Sequence, residues 1–259
     1  MGTKMRNAPV YFTVAQIQFN PILQLESRLP EIQDGMRLAH FPDFKRQFQQ
    51  FIDLAGVFGQ QPIVPPAQTR CFFGDIEGWS SFVLENNALA FQTTAYDTFE
   101  TFSKTFLKGL AIVHDVLKLD YMERIGLRYL DAVLPQSEEN VSDYLAPEVI
   151  GLSRKLSGKM QHSFSETLTT NAAGQLISRV IIQDGPVILP SEIIQLAPRI
   201  QTKFTHFTGC HAVLDTDAFC QERIAFNLKS IASKLNALHN EILNSFQVTV
   251  TEHALSVWQ

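Results

Sequence analysis

Val14 to Phe19 alternates: Ala15, Ile17 and Phe19 share one face and Gln16 and Gln18 the other, which predicts a half-buried strand. Asn20-Pro21 ends it. The period then changes. Leu25, Leu29, Ile32, Met36 and Ala39 recur at spacings of 4, 3, 4 and 3, predicting a helix over 22 to 40. Pro30 falls inside that stripe, so a kink or a restart is expected there. Phe44, Phe48 and Phe51 suggest a short helical piece, and Gly56, Gly59, Pro62, Pro65 and Pro66 mark a loop over 56 to 69. Arg70 to Asp75, Trp79 to Leu84 and Ala88 to Thr94 read as an antiparallel meander, with Asn86-Asn87 at its second turn.

Asp97 and Glu100 have capping-box spacing before Phe99, Phe102, Phe106, Leu110, Val113 and Leu117, an apolar helix face about five turns long. Tyr121 to Leu134 alternates as a strand. Pro135 and the polar run 137 to 140 end it and mark a half-chain boundary. In the second half, Gln161 to Thr170 and Gln175 to Gln183 form a hairpin about Asn171 to Gly174, and Asp184-Gly185-Pro186 is expected to turn the chain. Residues 191 to 208 show no clear periodicity. His211 to Phe219 reads as a short strand. The longest helix is expected over Gln221 to Phe246, on Ile224, Leu228, Ile231, Leu235, Leu238 and Ile242. Thr249 and Glu252 suit a capping box for a last helix ending at Trp258. Strands followed by helices, rather than strict alternation, predict an α+β fold with antiparallel sheets packed against long amphipathic helices. The element order admits two similar halves, 1–136 and 137–259, or one continuous domain.

Composition narrows the class. The 259 residues are 45% hydrophobic and 18% charged, enough apolar surface for a core and unlike a disordered chain. A net charge of −5 argues against nucleic acid or an anionic membrane as partner. Three cysteines, Cys71, Cys210 and Cys220, make no disulfide framework and no CxxC pair, which fits a reducing compartment. Cys71 and Cys210 read as buried packing residues. Residues 1 to 20 lack the apolar core of a signal peptide, and Arg6 stands where a myristoylation motif wants Ser or Thr. No apolar run reaches the ~20 residues of a membrane helix. A cytoplasmic protein is expected, with Met1 or Met5 as its native start.

Two pairs of residues carry candidate chemistry. Asp215 and Asp217 lie two apart on a predicted strand and share a face, as ligands for Mg²⁺ or Mn²⁺ would. Arg124 and Arg128 share a face of another strand with Gly126 between them, opposite Ile125, Leu127 and Tyr129. They suit an anion clamp, or ion pairs with the two aspartates, and pairing is the favoured reading. The seven histidines form no HxH or HExxH pattern, and no P-loop, GxSxG or GxGxxG occurs. Arg154, Lys155 and Lys159 make the densest basic patch, a modest one.

Asn7-Ala8-Pro9, Gln18-Phe19-Asn20-Pro21, the phrase from Glu123 to Asp131 with its Arg-Ile-Gly-Leu-Arg-Tyr core, Leu214-Asp215-Thr216-Asp217, the run from Leu235 to Phe246, and Thr251-Glu252 occur together. This combination resembles, over nearly the whole chain, a sporadically distributed family of prokaryotic proteins with no established activity. The resemblance implies an accessory gene, including genes of defence neighbourhoods, and names no catalytic residue. The expected function is therefore a non-enzymatic cytoplasmic binding or interaction protein with a protein partner or a second copy of itself, and no cofactor. One alternative is a metal-dependent phosphoryl-transfer enzyme or nuclease using Asp215 and Asp217, with Arg124 and Arg128 on the phosphate. The other is a small-ligand pocket between the sheet and the long final helix.

Overall fold

The computed structural model describes residues 5–49, 68–158, 160–190, 193 and 198–259. Its strands are β1 (Val10–Phe19), β2 (Asp43–Gln49), β3 (Gln68–Gly74), β4 (Ser80–Glu85), β5 (Ala88–Thr93), β6 (Tyr121–Val133), β7 (His162–Asn171), β8 (Gly174–Pro186) and β9 (Thr208–Ala225). They form one antiparallel sheet in the order β2-β3-β4-β5-β1-β6-β9-β8-β7. The helices are α1 (Leu25–Leu38), α2 (Phe99–Leu117), α3 (Val141–Tyr144), α4 (Pro147–Ile150), α5 (Thr202–Thr205), α6 (Leu228–Thr249) and α7 (Glu252–Trp258). The fold mixes α and β, and its sheet runs unbroken across residue 136, because β6 bonds both β1 and β9.

Alternation decides which face meets the helices. Ala15, Ile17 and Phe19 of β1 and Ile125 and Leu127 of β6 enter one core with Leu29 and Ile32 of α1, Phe106 and Leu110 of α2, and Ile231, Leu235 and Leu238 of α6. Each fully buried side chain of this size contributes about 1.5–3 kcal/mol. Gly109 lets α2 approach β4: a Cβ there would stand 2.3 Å from the Phe82 ring. A smaller cluster lies on the opposite face. There Tyr11, Phe12, Leu130 and Val213 are covered by Val187, Leu189, Ile193 and Phe204, which follow β8.

Several expectations are corrected. Residues 43–49 are a strand, not a helix: β2 continues the sheet beyond β3, and tertiary pairing overrides the phenylalanine spacing. Phe51 and residues 56–67 of the expected loop lie outside the described residues. Pro30 neither stops α1 nor restarts it. It sits inside the helix at an exposed position, where the missing amide removes one intrahelical hydrogen bond. The cap of α2 is Thr98, whose side chain accepts from the Thr101 amide, rather than Asp97. The hairpin after β7 is tighter than expected: Ala172 and Ala173 alone separate the paired Asn171 and Gly174. Asp184-Gly185-Pro186 stays in β8, paired with residues 208–210. The strand expected to end at Phe219 continues to Ala225, so Ile224 belongs to it, and α6 begins after an Asn227 cap. Thr251 caps the last helix, not Thr249. Cys71 is buried, but Cys210 is exposed. No described helix is long and apolar enough to cross a membrane.

Candidate functional site

The four candidate residues meet on the sheet face turned away from α2 and α6. The Arg128 guanidinium takes the Asp215 carboxylate in a two-pronged grip, Nε to Oδ1 and Nη2 to Oδ2, both 2.7 Å. Arg179 of β8, opposite Asp215 in register, adds Nη1 to Oδ2 at 3.3 Å and binds Glu166 at 2.6 Å. The Asp215 side chain is 3% exposed, so its oxygens are taken up by two arginines. Arg124 turns elsewhere. Its guanidinium lies 4.7 Å over the Phe219 ring and reaches Gln16 Oε1 at 3.4 Å. Gly126 makes room for that fold-back, since a Cβ there would stand 3.0 Å from Arg124 Nη1. Asp217 lines a cleft of about 310 Å³ with Gln16, Arg70, Glu85, Gln92 and Arg124. Burial pushes its carboxyl up, and Arg124 and Arg128 pull it part of the way back. Arg70 is paired to Glu85 at 2.5 Å. Among the described residues, no group of three or more His, Cys, Asp or Glu side chains is placed to hold a metal ion. Lys159 lies outside the described residues, so the basic patch it would complete is not described.

A second cavity, of about 190 Å³, opens on the helix side between β1, β6, the start of α2 and the second half of α6. Its walls are mostly apolar: Met5, Ala8, Pro9 and Val10 lead into β1, and Ile242, Leu243 and Phe246 come from α6. The polar groups form a chain. The Tyr129 hydroxyl donates to Tyr96 at 3.1 Å, and His239 Nδ1 stands 3.4 Å from the Tyr129 oxygen. Phe99 stacks on the imidazole at 3.9 Å between ring centres, with planes 3° apart. Burial drives the His239 pKa down to about 4, against the pull of Glu100, so the ring is neutral at neutral pH. Burial also lifts Tyr96 to about 12 and Tyr129 well above its ordinary value.

Asp131 completes the lining. It stands two residues from Tyr129 on the same face of β6 and is 7% exposed. No hydrogen bond or ion pair joins its carboxylate to any described residue. Desolvation alone raises its pKa from 3.8 to about 7. An ionised carboxylate in such surroundings is costly without a partner.

No family model matches the chain, and no curated protein matches it. The site is therefore read from its own geometry. Asp131, Tyr96, Tyr129 and Phe99 were not among the candidates from sequence. One signal was available: the alternation that puts Ile125, Leu127, Tyr129 and Val133 in an apolar row puts Asp131 in the same row. A carboxylate at a core position of a central strand is either paired or functional. Tyr96 reaches the site from a loop, and no spacing in the sequence links it to Tyr129 or His239.

Proposed function

We propose that this chain is a cytoplasmic binding protein that takes a small ligand between its sheet and its long C-terminal helix. The observation that carries the reading is the incomplete closure of that interface: apolar walls surround a few convergent polar groups, the usual make-up of a small-molecule site. Among the described lining residues there is no serine, cysteine or lysine, the Thr98 hydroxyl caps α2, and both tyrosines hold their protons at neutral pH, which favours binding over nucleophilic chemistry. The phosphoryl-transfer alternative has less support, because Asp215 is held by Arg128 and Arg179. We place the protein, on the resemblance, among accessory genes. The element order further supports two halves on one plan. β1 and β6 lie side by side at the centre, and each is followed by helix, outer strands running back inward, and a helix over the sheet.

Filling the cavity tests the proposal. A fragment screen by ligand-observed NMR on the wild type and on Leu243→Trp should give binders to the first that are lost in the second, with melting temperature retained. Binders that persist in Leu243→Trp, or an absence of binders to the wild type, contradict it.

A second reading, an interaction protein with a protein partner, draws on the edge of the sheet. Among the described strands β7 pairs only with β8, and it exposes Phe164 (57%) and Leu168 (59%); a sheet edge is a template for another strand. Under that reading, the native mass of the protein from its host exceeds that of one chain, and Phe164→Ser with Leu168→Ser lowers it.

A further inference from the structure

We infer that the ligand of the sheet–helix cavity is a small organic cation, an amine protonated at neutral pH, with Asp131 as its counter-charge. The inference rests on that cavity being the binding site and adds the class of molecule it takes.

Three observations point the same way. Asp131 lines the cavity almost fully buried, with no hydrogen bond or ion pair to a described residue. A buried carboxylate is stabilised by a cation at contact distance, and none of the described residues supplies one. The rest of the lining is uniform in sign. Asp97 and Glu100 at the start of α2 are acidic, no Lys or Arg is present among the described lining residues, and His239 on α6 is neutral. Among the described lining residues an anionic ligand would meet Asp131 and further acidic side chains and no Lys or Arg. Four aromatic residues, Tyr96, Phe99, Tyr129 and Phe246, stand among the apolar walls. Their ring faces attract an ammonium group and reject a carboxylate.

A metal ion fits the same lining poorly. Calcium takes 6–8 oxygens and magnesium a near-octahedral set. Asp131, Asp97 and Glu100 all line the cavity, but no group of three or more His, Cys, Asp or Glu side chains among the described residues is placed to hold a metal ion. The volume of about 190 Å³ is below the ~300–1,000 Å³ of drug-sized sites, so the molecule is small.

Protonation gives the inference an internal check. Burial holds the Asp131 carboxyl at about 7. A cation binds the ionised form, so its affinity should fall as pH drops below about 7, approaching tenfold per pH unit. His239 stays neutral and Tyr96 and Tyr129 stay protonated between pH 6 and 8. Asp97 and Glu100 face the same cavity and contribute a background of negative charge.

Calorimetric titration of the full chain at pH 8 with benzylamine, benzyl alcohol and benzoate separates the possibilities, because the three probes share size and ring but differ in charge. The expected result is at least tenfold tighter binding of benzylamine than of benzyl alcohol, with benzoate weakest. Asp131→Asn should erase that preference while the alcohol still binds. Should this variant fail to fold, the decline of wild-type benzylamine affinity from pH 8 to pH 6, with benzyl alcohol unchanged, carries the same test. Equal binding of amine and alcohol at both pH values overturns the cation assignment and leaves the cavity as a site. Binding of none of the three overturns both.

Discussion

Replacing Asp131 by Asn should stabilise the protein in alkali far more than in acid. In the wild type the carboxyl titrates near 7 when folded and near 3.8 when unfolded. The unfolded chain therefore releases this proton first as pH rises, and stability is lost progressively between about pH 4 and pH 7. At about 1.36 kcal/mol per pH unit, the full loss is about 4 kcal/mol once both states are ionised, with about 1.5 kcal/mol already lost at pH 5. Asparagine keeps the shape and removes the charge. Its buried amide still lacks partners, which costs about 1–3 kcal/mol at every pH. The difference between variant and wild type should therefore shift in favour of the variant by about 2–3 kcal/mol between pH 5 and pH 9. Comparing the two proteins at each pH cancels the opposite effect of His239, whose lowered pKa removes stability as pH falls below 6.5 toward about 4. Urea unfolding followed by the fluorescence of Trp79 and Trp258 measures this directly. A constant difference across that range, or a variant weaker at pH 9 than at pH 5 relative to wild type, refutes the view that Asp131 is buried without a partner among the described residues.

Other consequences follow from the contacts. Asp215→Ala should cost about 3–5 kcal/mol in urea unfolding, because it leaves Arg128 and Arg179 without their shared partner, whereas a cost below about 1 kcal/mol would show the pair to be solvated. Gly109→Ala should cost about 1–3 kcal/mol through collision with the packed Phe82 ring, while Gly126→Ala meets only the movable end of Arg124 and should cost less; the reverse order counts against the stated packing. Thr98→Ala and Asn227→Ala each remove a cap hydrogen bond and should each cost about 1 kcal/mol, measured by thermal unfolding. In the native protein, Cys210 should react with a thiol reagent and Cys71 only on unfolding, so equal rates would contradict their burial.

Much of the fold was legible because the sequence is locally consistent. The rows Ala15-Ile17-Phe19 and Ile125-Leu127-Tyr129 fixed the inner face of the central strands. The limits of β9 were not legible. Gln221 to Ala225 carries a helix-compatible spacing, and pairing of Gln221, Ile224 and Ala225 with β6 decides it. β2 was misread for the same reason: three spaced phenylalanines fit a helix, and only the partner strand β3 makes 43–49 extended. The site was partly visible. Alternation placed Arg124 and Arg128 on one face, but not that Arg128 reaches diagonally to Asp215 while Arg124 folds onto Phe219. The helix-side cavity depends on how α2 and α6 come together over β6, a long-range property that local spacing does not encode.

Methyl-resolved NMR of the wild type titrated with benzylamine asks whether the proposed sheet–helix cavity takes a ligand. Met5, Ala8, Val10, Ile242 and Leu243 surround that cavity, while Val14, Val83, Ala88 and Ala90 surround the cleft on the opposite face. Saturable shifts should be confined to the first group. Shifts confined to the second group, or none in either, would contradict the proposal.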